Sequence, residues 1–217
     1  RDGAFLKEDM MYTYVETKTE QKKATEVCFC IMEQIAKKLR SKYKVKVSIL
    51  PIGSQKVNLI TKNEQGVFDL DYNLLLGHLP EDLFNNPKRL KDVIRGWCDM
   101  IINREYTNCG KDSTSSLKYI FRKKDGTMTF TMDIGIIASV KNRKPLRLIY
   151  DKPSNAYIWN EMTMKYDIMN KNINLLRKEG KANKLREMYL AKKNDSKYRD
   201  RKSAQILLEA VNELMRK

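Results

Sequence analysis

The stretch from Val67 to Leu76 constrains this chain more than any other. Its alternation predicts a strand. Phe68, Leu70, Tyr72 and Leu74 would share one face, and Asp69 and Asp71 the other. At a rise of about 3.4 Å per residue the two aspartate Cα atoms would stand roughly 7 Å apart. Two carboxylates side by side on a mostly apolar strand repel each other, and burying them unpaired is costly. A bound divalent cation removes the conflict, because hard ions such as Mg²⁺ favour carboxylate oxygens.

The surrounding pattern predicts a mixed α/β unit followed by helices. A first helix is expected over residues 20–39, where Ala24, Val27, Cys28, Ile31, Met32, Ile35 and Leu39 fall at helical spacing. Val45, Val47 and Ile49 alternate with polar residues and predict a strand ending at Pro51, followed by Gly53-Ser54. Residues 55–63 fit a short helix or an irregular loop equally well. Asn86-Pro87 is a helix start, with Asn as cap and Pro at the first helical position. Leu90, Val93, Ile94, Trp97 and Ile101 would form that helix's buried stripe. A polar loop is expected over 105–116. Two strands are expected over 117–122 and 127–138, joined by the turn Lys124-Asp125-Gly126. Residues 146–150 read as one more strand, and everything after them as helical, with stripes such as Met162, Tyr166, Met169, Ile173 and Leu176. The expected fold class is therefore mixed α+β: a catalytic palm with a mixed sheet flanked by helices over 18–150, then an α-helical lobe over 151–217.

With 217 residues the chain can bury one sizeable core. No apolar run approaches the 18 or so residues that span a bilayer, so no membrane partner is expected. No secretory signal pattern opens the sequence, which begins at Arg1. Cys28, Cys30, Cys98 and Cys109 do not have zinc-site spacing and read as reduced thiols of a cytoplasmic protein. The formal net charge is +16, and residues 139–217 alone carry 20 Lys/Arg against 9 Asp/Glu. A cationic lobe beside an acidic site suits a polyanion, either a nucleoside triphosphate or nucleic acid. A solvated lysine-rich surface is the plain alternative.

A third acid lies in the strand-like run around Asp133. If that strand neighbours the acidic pair, Asp133 shares its face with Thr131 and Gly135, while Met132, Ile134 and Ile136 face the core. Three converging carboxylates suit a two-Mg²⁺ (or Mn²⁺) site for nucleotide transfer. Gly53 permits close backbone approach, and Ser54 with the following N–H groups suits phosphate oxygens. No Walker A sequence is present. His78, the single histidine, reads as a loop residue. Ser113, Ser115 and Ser116 read as a polar loop or triphosphate contacts, and Tyr150, Tyr157 and Trp159 as core or as base-stacking residues beside a cleft.

The order Pro51-Ile52-Gly53-Ser54, Phe68-Asp69-Leu70-Asp71, Met132-Asp133-Ile134 resembles the polymerase-beta-like nucleotidyltransferase superfamily. Within it, the setting of the acidic pair is most similar to the cyclic GMP-AMP synthase-like and bacterial dinucleotide-cyclase-like branch. The resemblance covers roughly residues 20–150. It implies Asp69 and Asp71 as Mg²⁺ ligands, Asp133 as third ligand or base, and Gly53-Ser54 as the phosphate-binding turn of an NTP-using transferase. The chain departs from the pattern in Gly66-Val67 before the acidic pair and Gln55-Lys56 after Ser54, and its helical lobe is short for a second-messenger synthase. The expected activity moves an NMP unit from an NTP to a hydroxyl acceptor, a second nucleotide among the candidates. The rival expectation is a non-catalytic nucleic-acid-binding module using the basic lobe.

Overall fold

The computed structural model describes residues 11–15, 18–105, 111–122, 128–163 and 165–216. The turn at 124–126, Cys109 and part of the loop before Ser113 lie outside the described residues. Two strands form the middle of the sheet, β4 (Phe68–Gly77) and β7 (Met128–Ser139), and they run parallel in register from Phe68↔Phe130 to Gly77↔Ser139. A parallel pair needs a long crossover. Here it carries helices α3 (Glu81–Phe84) and α4 (Pro87–Glu105) and strands β5 (Lys111–Asp112) and β6 (Leu117–Arg122).

Antiparallel strands flank this pair. β2 (Lys46–Pro51) and β3 (Thr61–Lys62) line the outer edge of β4, and β1 (Thr13–Tyr14) adds to β3. β6 and β8 (Leu146–Asp151) line the outer edge of β7, and β9 (Ala156–Glu161) pairs with β8.

Helices α1 (Lys18–Tyr43) and α4 cover one face. The predicted stripe of α1 is the buried one, with Val27 at its margin. Asn86 caps α4 by accepting from the Arg89 N–H at 3.0 Å. Leu90, Ile94, Cys98 and Ile102 are fully buried, against Leu70, Tyr72 and Leu74 in the same core. Each such side chain stabilises the fold by about 1.5–3 kcal/mol through burial. Cys28 is buried and Cys30 exposed, in keeping with positions two apart on a helix not sharing a face.

A second cluster forms among α5 (Lys165–Lys178), α6 (Ala182–Asn194) and α7 (Ser203–Met215), and it takes Val57 and Leu59 from the segment after β2. The ambiguous 55–63 stretch is thus neither helix nor loop alone. It contains the end of a one-turn helix, α2 (Gly53–Lys56), a buried link, and β3. The chain after 150 is not wholly helical either, because β9 extends the sheet. Tyr157 and Trp159 alternate with exposed Ile158 and Asn160, which is strand spacing, but aromatic spacing alone also fits a cleft wall. No helix among the described residues is long and apolar enough to cross a membrane.

Candidate active site

The pleat of β4 separates its side chains as the alternation predicts. Phe68, Leu70, Tyr72, Leu74 and Leu76 are buried under the helices, and Asp69, Asp71 and Asn73 rise from the opposite face. The parallel register then sets Asp69 beside Thr131 and Asp71 beside Asp133. From the other side of β7, the antiparallel register sets Lys118 of β6 beside Asp133. Asp71, Asp133 and Lys118 form one row across three strands, with Asp69 one pleat along.

The three carboxylates differ in environment. Asp69 is the open one, its side chain 60% exposed, whereas that of Asp133 is 22% exposed. Thr131 donates its hydroxyl to Asp69 Oδ1, and Ser116 donates to Asp133 Oδ1 at 3.0 Å. The Lys118 ammonium lies 3.4 Å from Asp69 Oδ1 and 3.4 Å from Asp133 Oδ2. Burial, then the charges of Asp133 and Asp69, push the Asp71 carboxyl up to about 7, against the pull of Lys118 and Arg147. Burial raises Asp133 as well, against Lys118 and Ser116. For Lys118 burial acts downward, but the two aspartates prevail and hold it above the usual lysine value.

The Gly53-Ser54 turn closes over this row. The Ile52 N–H donates to the Asp71 carbonyl at 2.9 Å, which pins the turn to β4. Gly53 has φ +62°, and a Cβ there would lie 2.8 Å from Asp71 Oδ2. Glycine is needed twice, for the left-handed backbone and for the carboxylate packed against it. Thus Gly53, Asp69, Asp71 and Asp133, far apart in sequence, come together, with Ser54 next in the chain after Gly53.

The remaining sequence candidates divide. His78 sits exposed at the far end of β4 with φ +57° and takes no part. Trp159 stacks on Phe84 and donates its indole N–H to the Phe84 carbonyl at 2.8 Å, so it is a packing residue. Tyr157 packs against Tyr150 and under the Lys91 ammonium. Ser116 does reach the site through Asp133, and Ser113 supports it with a hydroxyl contact of 2.7 Å.

Several residues here carried no sequence signal. Arg147 of β8 donates to Asn73 Oδ1 at 3.0 Å, and it lies over Gly135, where a Cβ would come within 3.3 Å of the guanidinium. Lys193 of α6 reaches from the helical lobe to donate to Thr61 Oγ1 at 2.8 Å and lies 3.9 Å from the centre of the Tyr12 ring. Burial lowers its ammonium to about 8, with Asp69 pulling the other way. Arg177 and Arg186 donate to the carbonyls of Val57 and Asn58, so they too are turned toward the sheet.

Asp69, Asp71 and Asp133 carry hard carboxylate oxygens of the kind a divalent cation takes, and the burial that raises the Asp71 carboxyl is a cost that such an ion would offset. Among the described residues, no three His, Cys, Asp or Glu side chains are gathered as a metal-holding group. In this arrangement Thr131, Ser116 and Lys118 engage oxygens of Asp69 and Asp133.

No protein-family model matches the chain, and no curated protein matches it in sequence. Solved structures do match in fold. The STING-associated CdnE c-di-GMP synthase from Capnocytophaga granulosa aligns over 90% of this chain and 60% of its own, at 19% identity and a TM-score of 0.58. Escherichia coli DncV in its 3'-deoxy GTP bound form aligns over 96% of this chain and 70% of its own, at 11% identity and a TM-score of 0.61. Vibrio cholerae DncV cyclic AMP-GMP synthase with the linear intermediate 5' pppA(3',5')pG aligns over 78% of this chain and 47% of its own, at 9% identity and a TM-score of 0.56. The chain therefore spans between about half and 60% of the first two synthases named for their products. The chain shares its fold, a nucleotidyltransferase fold, with these three proteins.

Proposed function

We propose that the protein is a Mg²⁺- or Mn²⁺-dependent nucleotidyltransferase that moves an NMP unit from an NTP to a hydroxyl, a second nucleotide being the favoured acceptor. The observation that carries this reading is the register Asp71↔Asp133 with Asp69 one pleat away, closed over by Gly53. A surface meant only to bind phosphate gains nothing from carboxylates at neighbouring positions of two central strands. The preference for a nucleotide acceptor is supported by the neighbouring folds, whose names record cyclic dinucleotide products.

Asp69, Asp71 and Asp133 would hold the divalent ions, which when bound neutralise the polyphosphate and the charge that develops during transfer. The chain's own residues account for the rest. The Gly53-Ser54 turn receives the phosphates by close backbone approach. Lys193, pointing from the lobe toward the Asp69 end of the site, holds the triphosphate tail. Asp133, fixed by Ser116, accepts the proton of the attacking hydroxyl. The hydroxyl oxygen bonds to the α-phosphorus, the α–β phosphoanhydride bond breaks, and pyrophosphate leaves. We assign this chemistry to the core over 18–150 together with β9, which extends its sheet, and enclosure of the nucleotide to the helices that follow.

The basic lobe offers little for the rival reading as a nucleic-acid module. Arg177, Arg186 and Lys193 face residues 57–61, Lys192 pairs with Glu209 and Glu213, and Lys181 with Glu179. Incubating the protein with each labelled NTP and either ion, then resolving the products, tests the proposal. Nucleotide transfer is expected in the wild type and abolished in Asp69→Ala and Asp71→Ala, both still folded. Wild-type activity in either variant would refute the site.

A further inference from the structure

Among the described residues, Lys118 is in direct contact with two of the three carboxylates, and the reaction above assigns it no task. Its ammonium spans Asp69 Oδ1 and Asp133 Oδ2, 3.4 Å from each. Those oxygens belong to two adjacent strands, so the ammonium bridges β4 and β7 at two of the carboxylates that would hold a divalent ion. We infer that Lys118 is the resident counter-ion of the cluster, displaced by an incoming divalent ion and re-paired with nucleotide phosphates, so that the site takes its ion with a polyphosphate and not alone. This inference rests on the metal-site reading above.

The two cations exclude each other. A divalent ion close to both carboxylates would lie within a few ångströms of the ammonium, and their repulsion opposes its entry. Lys118 is built to leave. Its charge is a point at the end of a flexible four-carbon stem, with a side chain 38% exposed. Arg147 differs, because Asn73 and the bare backbone of Gly135 hold its guanidinium in one place. A displaced Lys118 remains on the site's face, since β6 is anchored to β7 on both sides of it through Leu117↔Ile134 and Tyr119↔Met132. A triphosphate arriving with the ion supplies new anionic oxygens within reach of that stem. A free ion supplies none, and the ammonium then competes for its ligands.

A Mn²⁺ titration followed by electron paramagnetic resonance separates the possibilities. It is run on the wild type, Lys118→Met, Lys118→Gln and Asp71→Asn, each checked for folding by thermal melting. Each is titrated without nucleotide and with a nonhydrolysable ATP or GTP analogue. Both Lys118 variants are expected to bind Mn²⁺ alone roughly tenfold tighter than the wild type, the half-exposed position limiting the gain. With the analogue present the difference is expected to vanish or reverse. Equal Mn²⁺ affinity in the wild type and both Lys118 variants, with Asp71→Asn weaker, would overturn the role of Lys118 and leave the metal site standing. No Mn²⁺ binding by any protein, with or without the analogue, would overturn both.

Discussion

Replacing Asp71 by Asn should stabilise the metal-free protein, and more so the higher the pH. In the fold, burial and the neighbouring aspartates raise the Asp71 carboxyl from 3.8 to about 7. The folded chain therefore holds this proton more tightly than the unfolded chain does. The resulting stability is fully present below about pH 4 and is lost as pH rises through about 7. The interval from 3.8 to about 7 corresponds to on the order of 4 kcal/mol at full ionisation. Coupling to Asp133 and Asp69 lets the cluster share protons, so about half of that is expected to be seen. Asn keeps the shape and removes the charge. In urea unfolding with EDTA, Asp71→Asn should exceed the wild type by about 2 kcal/mol at pH 8 and by less than about 1 kcal/mol at pH 5. Adding Mg²⁺ together with a nonhydrolysable NTP analogue at pH 8 should stabilise the wild type and leave the variant nearly unchanged. A stability difference that is the same at both pH values would refute the electrostatic account, as would a variant less stable than the wild type at pH 8.

Gly53→Ala should cost about 1–2 kcal/mol of folding stability from its left-handed backbone alone, and Gly53→Val more. Both should weaken NTP binding at least roughly tenfold by displacing Asp71 and blocking backbone approach. Isothermal titration with an NTP analogue checks this, and unchanged affinity would remove the phosphate-turn assignment. Lys193→Met should weaken NTP binding roughly tenfold. In the wild type the same affinity should fall as pH rises past about 8, where the ammonium loses its proton; a variant with the wild-type pH profile would show that another group is responsible. Lys171, Lys178 and Lys184 are exposed on the lobe. Changing all three to Glu should leave NTP binding intact, and duplex binding in a filter assay at near-physiological salt should be weak before and after. Tight, salt-sensitive duplex binding lost in the triple variant would restore the nucleic-acid reading.

The acids of this site were legible in the sequence and its cations were not, and the reason is physical. A carboxylate on an otherwise apolar strand violates the local pattern, so Asp69, Asp71 and Asp133 stand out from neighbours alone. Their meeting required only that two strands pair, and the parallel register of β4 and β7 supplied it. Lys118 violates nothing. It is one of 43 Lys and Arg residues, and its place beside Asp133 depends on a register fixed across a hairpin. Lys193 depends on more, since it reaches Thr61 across 132 residues of sequence only after the helical lobe has docked on Val57 and Leu59. β9 was missed for a related reason: Tyr157 and Trp159 have strand spacing, but only contact with Phe84 and Lys91 separates a packed edge from an open cleft. Negative charge placed against the hydrophobic pattern is costly wherever it lies, so its purpose can be read locally. Positive charge on long stems is tolerated almost anywhere on a surface. Three-dimensional placement is what distinguishes Lys118 and Lys193, turned toward the carboxylates and Thr61, from lysines exposed on the lobe such as Lys171 and Lys178.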